Sequence, residues 1–236
     1  MQDRYAGDIG DFVKLGLLRA LRSNRKVGLA WYRFPDEAHN NDGRHITSLG
    51  QASRYAHLDG DLFKHLKTVA HAGRTIASLL PALQGAVSAD ETLYTKNLPA
   101  AQRCDWRRAW FARVLAQLSD CDLVFADPDN GLVDDENWRK GSAKFGKQIP
   151  LAEAHALAQH RCAVIYHHNT RRLGGHDAEV DFWLAQFQMP AMAVRAKAHS
   201  PRTFFILNPD ANMAARVKQF CSDWQPLKVH LHRNQR

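Results

Sequence analysis

Short apolar runs that each end abruptly in a burst of polar residues constrain the fold of this chain more than any other feature. The sharpest is Leu123-Val-Phe-Ala126, bounded behind by Ser119-Asp120 and ahead by Pro128 and Gly131. Runs of this length, β-branched and aromatic in part and flanked by turn residues, read as buried strands. Asp127 then sits at the C-terminal edge of the strand, and Asp129 and Asn130 follow in the turn. In open α/β sheets, ligands bind outside the carboxyl ends of the strands, which makes Asp127, Asp129 and Asn130 the candidate catalytic residues. An ordinary polar turn accounts for the same residues, because Pro, Asp, Asn and Gly are the commonest turn formers.

Two further runs repeat the pattern. Val27-Gly-Leu-Ala-Trp-Tyr32 opens into a polar loop that holds Asp36, Glu37, His39, Asn40, Asn41, Asp42 and His45, expected to form a second wall of the same cleft. Cys162-Ala-Val-Ile-Tyr166 ends in His167-His168-Asn169, with Arg171 and Arg172 beyond. Successive side chains of a strand point to opposite faces, so at most one of His167 and His168 faces that cleft. Met192–Arg195 and Thr203–Leu207 read as a terminal antiparallel pair, and Thr92–Lys96 as a short strand.

Between these runs lie stretches of helical period. Ile9, Phe12, Val13, Gly16, Leu17, Ala20 and Leu21 mark a helix capped by Asp8, with Asp11 in the first turn where the helix dipole favours an anion. Glycine weakens a helix, and the crowding of Gly7, Gly10 and Gly16 here asks for another reason. Trp106–Leu118, Leu151–His160, Asp181–Phe187 and Ala211–Trp224 read as further helices, and Asp134–Lys147 as a lid or a surface loop. Strands alternating with helices predict an α/β fold: a doubly wound, mostly parallel, Rossmann-like sheet with an antiparallel C-terminal strand. Residues 1–236 are taken as one such domain, with a helical insert at 48–117.

The net charge of +8 and 13 histidines favour a polyanionic partner, nucleic acid first. The four cysteines show no C-x-x-C spacing, which speaks against a zinc knuckle. There is no apolar run of membrane-spanning length and no secretory signal at the N-terminus, so a cytoplasmic location without membrane attachment is expected.

Three segments carry a family resemblance. Tyr5-Ala-Gly-Asp-Ile-Gly-Asp-Phe-Val-Lys14 resembles the N-terminal signature of the RlmJ-type 23S ribosomal RNA adenine methyltransferases. Leu123-Val-Phe-Ala-Asp-Pro-Asp-Asn130 resembles their Asp-Pro-Pro-Tyr strand and turn, and Phe205-Ile-Leu-Asn-Pro209 their late strand. The resemblance implies a methyltransferase-type sheet, S-adenosylmethionine as cofactor, and nucleic acid as substrate. In that family the turn holds the exocyclic amine of adenine, through the aspartate carboxylate and a backbone carbonyl. Carried over, it implies that Asp127, Asp129 and Asn130 act on the amine. Asp8, Asp11 and Lys14 are expected on the cofactor, joined by Asp36 in the loop leaving the first strand. Lys144, Tyr166, His168 and Arg171 are expected on the substrate. The chain departs from the family where Asp129-Asn130 replaces Pro-Tyr, where Leu15 replaces a histidine, and where the first strand feeds no glycine until Gly43.

Those departures keep two other readings open. In one, Asp42, Asp127, Asp129 and one of His167 and His168 bind magnesium or manganese in a nuclease or phosphohydrolase, since oxygen-rich sets suit those ions. In the other, the chain is a non-catalytic nucleic-acid-binding relative of the methyltransferase fold.

Overall fold

The computed structural model describes residues 1–37, 46–198 and 200–233. His39, Asn40, Asn41, Asp42 and His45, expected in the second cleft wall, lie outside the described residues. The chain opens with α1 (Ile9–Leu21) and β1 (Val27–Ala30), then α2 (Ala52–Tyr55), α3 (Gly60–Ala72), β2 (Val87–Ala89) and α4 (Ala100–Gln117). Next come β3 (Leu123–Ala126), β4 (Gly131–Val133), α5 (Asn137–Lys140), β5 (Gln148–Pro150), α6 (Leu151–Leu157) and β6 (Cys162–His168). It closes with α7 (Gly175–Gln186), β7 (Ala191–Ala196), β8 (Arg202–Leu207), α8 (Ala211–Asp223) and β9 (Val229–Leu231).

Seven strands form the main sheet in the order β2-β1-β3-β6-β8-β7-β9. β2, β1, β3 and β6 are parallel. β8 runs antiparallel to both β6 and β7, between them, and β9 pairs antiparallel with the outer side of β7. The fold is therefore the expected Rossmann-like α/β sheet. Its central strands are buried on both faces, as near-continuous apolar runs in parallel sheets are. Leu123 and Phe125 pack with α1, α3 and α8, while Val124 and Ala126 pack with α4, α6 and α7. This is the period-two alternation of a strand, here with an apolar layer on each side. Among the described residues, no helix is long and apolar enough to cross a membrane.

Three local expectations change. Thr92–Lys96 is not a strand; the sheet edge is β2, a three-residue strand too short to show alternation. Residues 48–117 are mostly helical, yet they contribute β2 to the main sheet. The 134–147 segment is closed at its base by β4 and β5, which pair in parallel. Arg107 of α4 ties it down further, donating to the Phe145 carbonyl at 2.6 Å and the Gln148 carbonyl at 2.7 Å.

Gly16 answers part of the question its helix raised. The six-membered ring of Trp224 lies against it so closely that a Cβ on Gly16 would fall 2.3 Å from the ring. Trp224 in turn stacks on Phe220 at 4.8 Å between ring centroids and touches Phe12, which locks α8 to α1. The helix thus gives up propensity for a closer helix–helix approach. Gly16→Ala forces this ring out of place and lowers stability by about 1–3 kcal/mol, as overpacking of a core does; urea unfolding followed by circular dichroism measures it.

Candidate ligand pocket

The site is built around one buried lysine. Asp11 and Lys14 stand three residues apart on α1 and so share a helix face. Asp127 is fixed at the edge of β3 because its N–H donates to the Ala30 carbonyl at 2.9 Å, extending the ladder to β1 by one residue. The Lys14 ammonium bridges the two, at 2.7 Å from Asp11 Oδ1 and 2.6 Å from Asp127 Oδ2. It lies about equally far from the Trp31, Phe125 and Tyr166 rings, 5.7–6.0 Å from their centroids. Burial opposes the charge on Lys14 most strongly, but Asp11 and Asp127 together overrule it and raise its pKa, so it stays an ammonium. Burial also pushes Asp11 up, to about 6, against the pull of Lys14 and with help from the Asp8 and Asp127 charges.

A second set of contacts knits the start of the chain to the same turn. The Met1 amine donates to the carbonyls of Trp31, Tyr32 and Asp127 at 3.2, 3.0 and 2.9 Å. It also lies 2.8 Å from Asp129 Oδ1, while Gln2 Nε2 donates to Asp129 Oδ2 at 2.7 Å. Gln2 accepts from the Glu37 N–H at 3.0 Å, and Glu37 pairs with Lys147.

Above these groups is a pocket of about 370 Å³ with a mixed polar and apolar lining. It gathers Asp127, Asp129 and Asn130 from the β3 turn, Asp8, Asp11 and Lys14 from the start of α1, and Tyr166 and His168 from β6. Segments far apart in the chain thus meet on one edge of the sheet. Three expected residues are not among its lining. Asp36 accepts a hydrogen bond from the Arg4 N–H at 3.1 Å, and Lys144 and Arg171 are exposed elsewhere.

The two histidines part company as strand geometry requires. His168 lines the pocket. His167 is buried on the other side, where its Nδ1 accepts from the Leu132 N–H at 3.0 Å and its Nε2 meets Glu179 at 3.2 Å. Glu179 also accepts from Asn169 and Thr170. Burial works against its charge, but the bonds from His167, Thr170 and Asn169 outweigh it and hold the carboxyl down at about 2. His167 is therefore part of a structural network and stands apart from the aspartates. Among the described residues, no three His, Cys, Asp or Glu side chains gather as a metal site would need.

The cofactor implied by the resemblance is tested at the edge of β1. Trp31 and Tyr32 follow that strand and are both fully buried, with the buried side chains of Met1 and Gln2 alongside. After β2 come Asp90 and Glu91, but Glu91 is held by Arg113 of α4 at 2.6 and 2.8 Å and neither residue lines the pocket. Among the described residues, this edge is filled by bulky side chains and does not fit S-adenosylmethionine, which needs close backbone approach and a ribose-gripping acid.

Glu37, expected in the second cleft wall, also lines the pocket, while sequence reasoning passed over Lys147, Ser200 and Arg202, which line it too. Arg202 was within reach of it. The first residue of a strand antiparallel to β6 must fall at the C-terminal edge of β6, and Arg202 pairs with His168 there.

Lys14→Met leaves Asp11 and Asp127 buried without their cation, and unfolding in urea is expected to show a loss of about 3–5 kcal/mol, the cost of breaking a buried pair. A second outcome follows from Asp11, whose pKa rises from 3.8 unfolded to about 6 folded. The folded chain holds a proton through this window that the unfolded chain has released, so this contribution to stability declines as pH rises from about 4 to about 6. Urea titrations across that range should show a shallower decline in Asp11→Asn than in the parent chain.

No protein-family model, curated protein or solved structure matches this chain, methyltransferases included.

Proposed function

We propose that this chain binds nucleic acid, taking an amine-bearing base into the pocket beside Asp127, and that it does so as a non-catalytic relative of the methyltransferase-type fold. One observation carries this reading. The Asp127 carboxylate, which the resemblance assigns to the target amine, is already engaged by Lys14. What the pocket keeps for a ligand is recognition chemistry. Asn130 is exposed at its mouth with a carboxamide that both donates and accepts, and the Tyr166 ring forms part of its wall. Aromatic rings of this kind stack on unpaired bases. The surplus of positive charge, +8 over the chain, supplies the sequence-independent attraction to phosphates.

A second reading is methyl transfer to such an amine. The sheet favours it: β8 lies antiparallel between β6 and β7, the methyltransferase-type arrangement that the resemblance implies. The bulky side chains at the edge of β1 count against it.

Fluorescence anisotropy with a labelled single-stranded oligonucleotide tests the first reading. Binding is expected, weakening roughly ten-fold between about 50 and 200 mM salt, as a few phosphate contacts would give. S-adenosylmethionine is expected to leave the melting temperature unchanged. Transfer of a labelled methyl group from S-adenosylmethionine to the oligonucleotide would overturn the non-catalytic reading in favour of the second.

A further inference from the structure

We infer that Arg202 is the phosphate-binding end of this pocket, and that its ligand is a nucleotide bearing a phosphate monoester. The inference rests on the nucleic-acid reading above and names the ligand class more narrowly. Arg202 lines the pocket and is 5% exposed. Its Nη2 donates to Ser200 Oγ at 2.6 Å, while Nε has no partner. Among the described residues no carboxylate forms an ion pair with it, in contrast to Lys14, Lys147 and the Met1 amine in the same pocket, each of which has one. A buried guanidinium with no ion pair and an unpartnered Nε is costly to keep. An anion entering the pocket would relieve that cost, and the planar fork of arginine suits a phosphate better than a point charge does.

The fold has made room for this group. Gly10, in the first turn of α1, faces the guanidinium so closely that a Cβ would fall 2.4 Å from Nη1. Any side chain at that position would drive Arg202 away. The first amides of a helix lack intrahelical acceptors and carry partial positive charge, so Gly10 brings a second anion-attracting element beside Arg202. Asp8, whose Oδ1 would lie 2.9 Å from the same Cβ, is committed by that oxygen to the Asp11 N–H at 3.0 Å. The pocket is thus two-ended. Its Asn130 side, with a carboxamide oxygen that accepts, suits an amine, and its Arg202 side suits a phosphate. A nucleotide with an exocyclic amine carries both.

The source is either the phosphorylated end of a strand or a free mononucleotide, and the test separates them. A short single-stranded RNA is titrated with a 5′-phosphate and with a 5′-hydroxyl, and adenosine monophosphate is compared with adenosine by calorimetry. The parent protein is expected to prefer the phosphorylated member of a pair roughly ten-fold or more, the weight of one charged hydrogen-bonding group. Arg202→Gln is expected to lose that preference, the phosphorylated and 5′-hydroxyl strands then binding alike. Gly10→Ala, which leaves the guanidinium in the chain and only displaces it, is expected to do the same, and covers the case in which Arg202→Gln fails to fold. Equal affinity of the parent protein for phosphorylated and unphosphorylated ligands in both pairs would overturn the inference and leave the nucleic-acid reading standing. Binding of adenosine monophosphate but of no RNA would keep the phosphate end and overturn the nucleic-acid reading. Binding of none of the four would overturn both.

Discussion

A lysine ammonium sealed between two carboxylates joins the first helix of this protein to the middle of its sheet. Moving an ion out of water costs several kcal/mol even after relaxation, and Lys14 recovers that cost only because Asp11 and Asp127 both reach it within 2.7 Å. The geometry has to be accurate, since a buried partner left unpaired is worse than none. That requirement fixes the height of α1 over β3 and sets the start of α1, with Asp8 and Gly10, over the edge where Asp127, Tyr166 and His168 emerge. The pocket exists because this joint exists. It also explains why Asp11 is held at about 6 while sitting next to a cation: burial and two neighbouring carboxylates weigh more than one ammonium.

Much of the architecture could be read from residue pattern, and for a simple reason. Buried parallel strands such as Leu123–Ala126 and Cys162–His168 are apolar on both faces and end in polar residues, so they stand out against the helices between them. β2, β4 and β5 did not stand out. Each has three residues, and a three-residue strand offers no periodicity to detect. The glycines of α1 showed that something presses on the helix but not what, because Trp224 and Arg202 come from the far end of the chain.

The candidate site was visible to the same degree. Aspartates after a strand and polar residues after its neighbour point to one edge, and the structure brings eight of the candidate catalytic, cofactor and substrate residues into one pocket there: Asp8, Asp11, Lys14, Asp127, Asp129, Asn130, Tyr166 and His168. What the sequence does not show is which charges are already spent. Asp127 and Asp129 look like free acids in the chain, but Lys14, Met1 and Gln2 engage them. Pairing is a property of three-dimensional neighbours, and it changes the chemistry of a carboxylate from reactant to fixture.

Strand direction then decides where new chemistry can enter. A parallel strand presents its last residue at the binding edge; an antiparallel strand presents its first. β8 reverses direction between β6 and β7 and so delivers Arg202, its opening residue, to the same edge as His168. Every other cation in the pocket has its carboxylate: Lys14, Lys147 and the Met1 amine. Among the described residues, Arg202 alone arrives from the reversed strand without an ion pair. Because the carboxylates of the parallel edge are committed elsewhere, the charge at Arg202 is left for whatever the pocket admits.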